Sequence, residues 1–117
     1  LEEELKIQME RRNLIENFEF PNFNSDGEIY GIDLFSKLGI LLIGDGEDTY
    51  YAYDVVNKKL LKKEKIHTDS VTNVKFSFDG ELFVTASLDG IVKIFKSSDF
   101  SLLFTIDENK DEVTVRL

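Results

Sequence analysis

The sequence contains no cysteine, no tryptophan, one histidine and one proline among its 117 residues. Without cysteine, the chain cannot form a disulfide scaffold, a thiolate nucleophile or a cysteine-containing zinc site. A single imidazole also excludes metal sites that need several histidines. The longest apolar run, Ile40 to Ile43, is far shorter than the roughly 20 residues that a membrane-spanning helix needs. Several functional classes are therefore excluded before any motif is considered.

The charge of the chain is strongly negative, with 23 carboxylates against 14 Lys and Arg residues and a formal net charge of -9 at pH 7. Such a surplus repels the phosphate groups of nucleic acids and of anionic membranes. We therefore expect no direct binding to nucleic acid, no membrane binding and no cofactor, and we expect a basic protein as partner. The N-terminal residues do not have the basic start and apolar centre of a secretory signal, so the expected compartment is the cytoplasm or the nucleus.

The sequence divides into a short N-terminal part, residues 1–25, and a longer region, residues 26–117. Residues 1–16 place apolar side chains four positions apart among Glu, Lys and Arg, which predicts a helix. Residues 17–25 hold the only proline and three phenylalanines, which is typical of an irregular connector. From residue 26 onward, short runs of Val, Ile, Phe and Tyr alternate with Gly, Asp, Asn and Ser, which indicates an all-β region.

An internal repeat of 42 residues runs through the all-β region and pairs Ile29 with Val71 and Leu41 with Phe83 without a gap. Size and polarity agree over four successive strand-like runs. This period, with four strands in each unit, is typical of the blades of a β-propeller. We therefore predict two blades and, at residues 112–117, the innermost strand of a third blade. Because propellers close with about four to eight blades, the sequence is expected to form part of a larger ring.

The second unit, residues 67–106, resembles a WD repeat, and the resemblance extends over residues 26–117. The terminal Trp-Asp pair that names the family is replaced by Phe95-Lys96. The matching features are His67, the run from Val71 to Ser77, the turns Asp79-Gly80 and Asp89-Gly90, and the stretch Thr85 to Ser87. The resemblance implies a non-catalytic β-propeller that binds other proteins.

The resemblance also implies a structural hydrogen-bond network in each blade. It assigns a bond between His67 and Asp89, with Ser87 and the aromatic Phe95 completing the chain. Phe95 has no indole N–H, so the last donor of this network is missing. The first unit carries other residues at the matching positions, namely Ser25, Asp45 and Glu47. A weaker or absent network is expected there.

Three features could be interpreted as chemical sites, and we favour a structural interpretation of each. His67 has no Ser, Cys or second His arranged with it, and the repeat motif accounts for it. The acidic turn from Gly44 to Asp48 lacks the 12-residue ligand pattern of a calcium loop. The lysines of residues 58–63 are expected on a solvated edge strand. We therefore predict no catalytic residue and no metal ligand.

Acidic side chains concentrate at one predicted end of the blades, which we call the acidic end. It comprises the loops around residues 24–28, 45–49, 65–70, 87–91 and 107–112. The loops of the other end are close to balanced in charge, so the difference favours an electronegative docking surface for a basic partner. The predicted binding residues are Asp26, Asp45, Glu47, Asp48, Asp69, Asp107, Glu108, Asp111 and Glu112.

Within the WD-repeat family, the sequence is similar to the first blades of the angio-associated migratory cell protein type. This similarity rests on the acidic turn from Gly44 to Asp48 and on the Asp-Glu-Val sequence at residues 111–113. That group includes a dedicated chaperone of a large-subunit ribosomal protein, which implies an acidic surface that shields a basic protein before ribosome assembly. The alternative is a general WD-repeat scaffold or adaptor in another multiprotein complex, attached through the helix of residues 1–16.

Overall fold

The computed structural model describes residues 3–8, 25–110 and 112–115. Residues 3–8 form helix α1, inside the helix predicted over residues 1–16. The rest of that prediction, nearly all of the connector and Asp111 lie outside the described residues. Within the described part, no helix is long and apolar enough to cross a membrane, and no three His, Asp or Glu side chains form a group that could hold a metal ion.

The described residues form nine strands in two antiparallel sheets. The first sheet, or first blade, has the order β1-β2-β3-β4, and the second blade has the order β5-β6-β7-β8-β9. The strands are β1 Ile29–Phe35, β2 Ile40–Asp45, β3 Thr49–Asp54, β4 Lys59–Lys65, β5 Val71–Phe76, β6 Leu82–Ser87, β7 Ile91–Lys96, β8 Leu102–Asp107 and β9 Glu112–Val115. The predicted all-β fold of propeller blades is confirmed.

The Asp-Gly pairs lie in tight turns, where the sequence predicted them. Gly80 has a φ of 75° and Gly90 a φ of 82°, a backbone conformation that glycine adopts without steric cost. At the second turn, Oδ1 of Asp89 accepts the backbone N–H of Ile91 at 2.8 Å. Each pair therefore combines a glycine that permits the turn with an aspartate that can bond the backbone of the turn.

An apolar core lies between the two blades and joins them. Alternation along the strands directs one set of side chains from β2 and β3 towards β5, β6 and β7. The Phe83 ring stacks on Phe95 with centroids 5.0 Å apart and contacts Tyr50 at 5.6 Å. The core residues are Leu42, Tyr50, Ala52, Val71, Val74, Phe76, Phe83 and Phe95. Burial of these aromatic and aliphatic side chains holds the blades face to face.

Residues 112–115 do not begin a third blade in the structure. Strand β9 instead pairs antiparallel with β8, so that Val115 lies opposite Phe104 and Glu112 lies opposite Asp107. The outer edge of β8 presents backbone N–H and C=O groups that need partners, and β9 supplies them. The predicted third-blade strand is therefore corrected to a fifth strand of the second blade.

The two blades approach closely at Gly44 in β2. A Cβ atom at this position would lie 2.7 Å from Cγ1 of Val71 and 2.9 Å from its carbonyl oxygen. Val71 is fully buried at the start of β5, so neither its side chain nor its backbone can easily move away. Glycine is therefore required here by the spacing between the blades.

We predict that Gly44→Ala lowers the free energy of unfolding by about 1 to 3 kcal/mol, because the added methyl group overpacks the contact with Val71. Urea denaturation measures the change. Gly46→Ala is the control, since a Cβ there would meet Cε2 of Tyr30 at 3.0 Å and the exposed Tyr30 ring can turn aside. Equal losses in the two variants would show that close packing at Gly44 is not the cause.

Candidate functional site

The loops of the acidic end lie at the same end of both blades, as the antiparallel strand order requires. Hydrogen bonds join each loop to its neighbour. The N–H of Gly46 donates to the Glu28 carbonyl at 2.8 Å, and the Ser70 hydroxyl donates to the Gly46 carbonyl at 3.3 Å. The N–H of Leu88 then donates to the Ser70 carbonyl at 3.0 Å. The first blade and the second blade therefore share one connected surface at this end.

The last turn of the described chain joins the same surface through two bonds. The N–H of Glu108 donates to the Gly90 carbonyl at 3.1 Å. Nδ2 of Asn109 donates to the Asp89 carbonyl at 2.9 Å. All five loops of the acidic end are thus connected, either directly or through a neighbouring loop.

The predicted binding residues differ in their access to solvent. The exposed ones are Asp26, Glu47, Asp69, Glu108 and Glu112, whereas Asp48 and Asp107 are partly buried. Nζ of Lys63 lies 2.8 Å from Oδ2 of Asp26, and Nζ of Lys65 lies 3.6 Å from Oδ2 of Asp48. These two lysines offset part of the negative charge of the first blade. The surface nevertheless remains acidic at its exposed positions.

Asp45 is the exception, because its side chain is 0% exposed. Oδ1 accepts the backbone N–H groups of Glu47 at 3.0 Å and Thr49 at 3.2 Å, and Oδ2 accepts the Tyr51 hydroxyl at 2.6 Å. A partner protein cannot reach a carboxyl group in this position. The prediction of Asp45 as a binding residue is therefore corrected: it holds the turn between β2 and β3.

The first blade contains a hydrogen-bond network of its own, contrary to the expectation that it would be weak or absent. The Tyr51 hydroxyl that donates to Asp45 also accepts the backbone N–H of Asp26 at 3.0 Å, which fixes the segment before β1. Burial, together with the bond to Asp45, raises the pKa of Tyr51 to about 12, so it remains a hydroxyl donor at neutral pH. The repeat comparison missed this network because Tyr51 corresponds to Lys93 in the second unit.

We predict that Asp45→Ala lowers the free energy of unfolding by about 1 to 3 kcal/mol, since it leaves buried donors of the turn and of Tyr51 without an acceptor. Thermal or chemical denaturation measures this loss. Glu47→Gln is the matched control two residues away, because its side chain is exposed and a change within about 0.5 kcal/mol is expected. A stable Asp45→Ala variant with impaired partner binding would restore the binding role.

In the second blade, the His67 side chain is fully buried and bonded through both ring nitrogens. Nδ1 lies 2.9 Å from Oδ2 of Asp89, and Nε2 lies 2.8 Å from Oγ1 of Thr85. Because a carboxylate only accepts, we infer that Nδ1–H donates to Asp89 and that Nε2 accepts the Thr85 hydroxyl. Oδ2 of Asp89 also accepts the N–H of Thr68 at 3.0 Å. The four residues fix the loop between β4 and β5 to the turn between β6 and β7.

The hydroxyl that bonds the His67 ring belongs to Thr85, whereas Ser87 bonds only the backbone beside it and Phe95 lies in the core. The Ser87 hydroxyl accepts the N–H of Asp89 at 3.0 Å and donates to the carbonyl of Asp69 at 3.0 Å. Phe95 packs in the core against Phe83. Thr85 and Ser87 lie two residues apart on the same face of β6, and the sequence alone does not show which hydroxyl lies level with His67. The prediction that Ser87 completes the hydrogen-bond network of His67 is therefore corrected: Thr85 has that role.

The buried position of His67 also determines its charge. Burial lowers the pKa of the His67 imidazole, and the bond and charge of Asp89 oppose this shift without cancelling it. For Asp89, burial alone would raise the pKa, but the N–H donors of Thr68 and Ile91 and the bond from His67 outweigh burial and lower it. The pair is therefore a neutral imidazole that donates to a carboxylate at neutral pH.

We predict that the chain becomes less stable as the pH falls below 7 towards 5. The unfolded imidazole takes up a proton near its ordinary pKa of about 6.5, whereas the folded one resists protonation, so the free energy of unfolding falls by up to about 1.4 kcal/mol per pH unit in this window. Because His67 is the only histidine, His67→Gln should remove the dependence. Unfolding curves at several pH values test this prediction. If the unfolding free energy of the variant still fell with pH as in the wild type, His67 would not be the cause.

Comparison with known proteins identifies the repeat. Residues 58–96 match the family described as WD domain, G-beta repeat, and this stretch runs from β4 through β7. An uncharacterized WD repeat-containing protein of Acanthamoeba polyphaga mimivirus is 31% identical over 74 residues, which are 62% of this chain and 14% of that protein. The crystal structure of the computationally designed Ika4 protein matches the fold with a TM-score of 0.61 and 21% identity, covering 68% of this chain and 48% of that one.

The blades and the matched repeat together define the class of the protein: a β-propeller segment that carries a WD repeat. Residues 58–96 are thus similar to a WD repeat, and proteins built from such repeats are generally non-catalytic modules that bind protein partners in complexes. The chain spans 14% of the length of the viral relative and 48% of the designed protein.

Proposed function

We propose that the chain is a non-catalytic interaction module that binds a basic segment of a partner protein through its acidic end. The observation that supports this most is the series of hydrogen bonds that connects the acidic loops of both blades. These bonds hold the loops that bear the exposed carboxyl groups at fixed positions relative to one another. Their fields then act on the same approaching partner.

The exposed groups that carry the proposal are Glu47, Asp69 and Glu108, one from each of three loops. None of the three has a lysine within ion-pair distance among the described residues, whereas Asp26 and Asp48 do. Complementary charge mainly increases the association rate and the specificity of a complex. Exposed charges are screened beyond about 8 Å at physiological ionic strength, so this contribution should weaken with added salt.

For the partner, we propose a basic ribosomal protein, with the chain acting as a ribosomal-protein chaperone or assembly factor in the cytoplasm or the nucleus. The support is the sequence similarity described above and the acidity of the surface. A general WD-repeat scaffold in another complex is the second candidate, because family assignment alone supports protein binding without naming a partner.

The test compares two double variants with the same change of charge. Glu47→Gln with Asp69→Asn removes two charges from the acidic end, whereas Asp54→Asn with Asp99→Asn removes two charges from the other end. Asn retains a side-chain oxygen, so the backbone bonds that Asp54 and Asp99 accept in their turns can persist. We predict that the first variant slows association with a Lys/Arg-rich ribosomal-protein tail about threefold to tenfold, and that the second changes it little.

Stopped-flow fluorescence at two salt concentrations measures these rates, and a scrambled peptide of equal charge serves as the second ligand. Slower association at higher salt is expected for both the wild type and the control variant. Preference for the natural tail over the scrambled one would favour the chaperone proposal, and equal binding would favour the scaffold. If the two double variants had equal effects, or if association did not depend on the salt concentration, the proposal that the acidic end is the docking surface would be wrong.

A further inference from the structure

A cleft of about 510 Å³ lies at the end of the blades opposite to the acidic end. It forms between the β1–β2 turn of the first blade and the β5–β6 and β7–β8 turns of the second blade. Leu38, Leu82 and Leu103 give it apolar walls, and Asp79, Glu81 and Ser97 are polar residues of its lining. We call it the junction cleft. Its volume lies within the range of about 300 to 1,000 Å³ that is common for ligand pockets.

Ser97 is a buried polar residue in the lining of this cleft. Ser97 is 5% exposed, and its Oγ has no hydrogen-bond partner among the described residues. The backbone N–H of Ser97 donates to the Glu81 carbonyl at 2.9 Å, which fixes the residue in place. A buried hydroxyl without a partner costs free energy. A change of χ1 rotamer that turned Oγ towards the cleft would let the hydroxyl bond a polar group there.

Exposed apolar side chains surround the turns of this end. Phe78, next to Asp79 in the chain, is fully exposed, and Leu38 and Val56 are also exposed. A Cβ atom on Gly39 would lie 2.9 Å from Cγ2 of Val56, so the turns that carry Leu38 and Val56 are adjacent. Grouped apolar side chains beside a cavity are typical of an interaction surface.

The charges at the cleft favour a cationic ligand group. Asp79 and Glu81 are both part of the lining, against one lysine, Lys96. The N–H of Glu81 and the hydroxyl of Ser77 both donate to Oδ1 of Asp79, and they lower the pKa of this carboxyl group. Asp79 is therefore negatively charged at neutral pH.

We propose that the junction cleft is a second peptide-binding site, which takes a segment of a partner protein with one large apolar side chain next to a Lys or Arg residue. The apolar side chain lies against Leu38, Leu82 and Leu103. The hydroxyl of Ser97 bonds to the peptide backbone, and the cation pairs with Glu81 or Asp79. This site is independent of the acidic end, because it lies at the other end of the blades and selects for an apolar side chain.

The probe is a short synthetic peptide with a single leucine flanked by arginines among glycines and serines, and its control replaces the leucine with serine. Fluorescence anisotropy measures affinity, and methyl NMR shifts of Leu38, Leu82 and Leu103 locate the contact. We expect the leucine peptide to bind more tightly and to move these methyl signals. Ser98→Trp, which places a bulky ring at an exposed residue of the lining, should abolish the shifts.

Two further variants test the polar contacts. Ser97→Ala should weaken binding of the peptide about fivefold while it raises the melting temperature of the free chain, because it removes a buried hydroxyl that has no partner. Glu81→Lys should weaken binding about tenfold or more. Glu4→Lys makes the same change of charge on exposed helix α1 and should leave binding unchanged.

Three results would overturn the proposal. The first is equal binding of the leucine and serine peptides without methyl shifts in the cleft, which would place a basic peptide elsewhere. The second is a lower melting temperature for Ser97→Ala, which would show that the hydroxyl already has a partner. The third is a concentration-dependent dimer that Phe78→Ser dissolves, since a second copy of the chain would then occupy this end. None of them depends on whether the acidic end binds a ribosomal protein.

Discussion

The aromatic and aliphatic contact between the two blades is the interaction on which the rest of the structure depends. Phe83 lies at its centre, stacked on Phe95 and in contact with Tyr50 across the blade boundary. This contact sets the spacing between the blades, and at that spacing Gly44 lies directly against Val71. It also brings the loops of both blades together at each end, which produces the acidic end on one side and the junction cleft on the other.

The two blades meet the same structural requirement with different residues. Each must hold the loop that precedes its first strand against the turn between its second and third strands. The second blade uses His67, Asp89 and Thr85, whereas the first uses Tyr51 and Asp45. In both cases a buried side-chain donor bonds the carboxyl group of an aspartate, so burial of that group costs little free energy. The chemistry of the repeat can therefore change while its geometry is retained.

Much of the fold could be predicted from the sequence, because turns and strand periodicity are local properties. The Asp-Gly pairs and the 42-residue repeat indicated the turns and the blades. The errors concern which neighbour a residue meets. Asp45 counts as an acid in the sequence, but only the structure shows its carboxyl group buried under Tyr51. The choice between Thr85 and Ser87, and the pairing of β9 with β8, likewise depend on register and on free edges that the sequence does not display.

The WD repeat and the blade do not share boundaries, since residues 58–96 begin at the outermost strand of one blade and continue through three strands of the next. The matched stretch therefore contributes to two sheets. If a gene duplication inserted one more copy, the new segment would supply an edge strand to its predecessor and three strands to a fresh blade. With this offset, the gain or loss of one copy would leave no sheet incomplete.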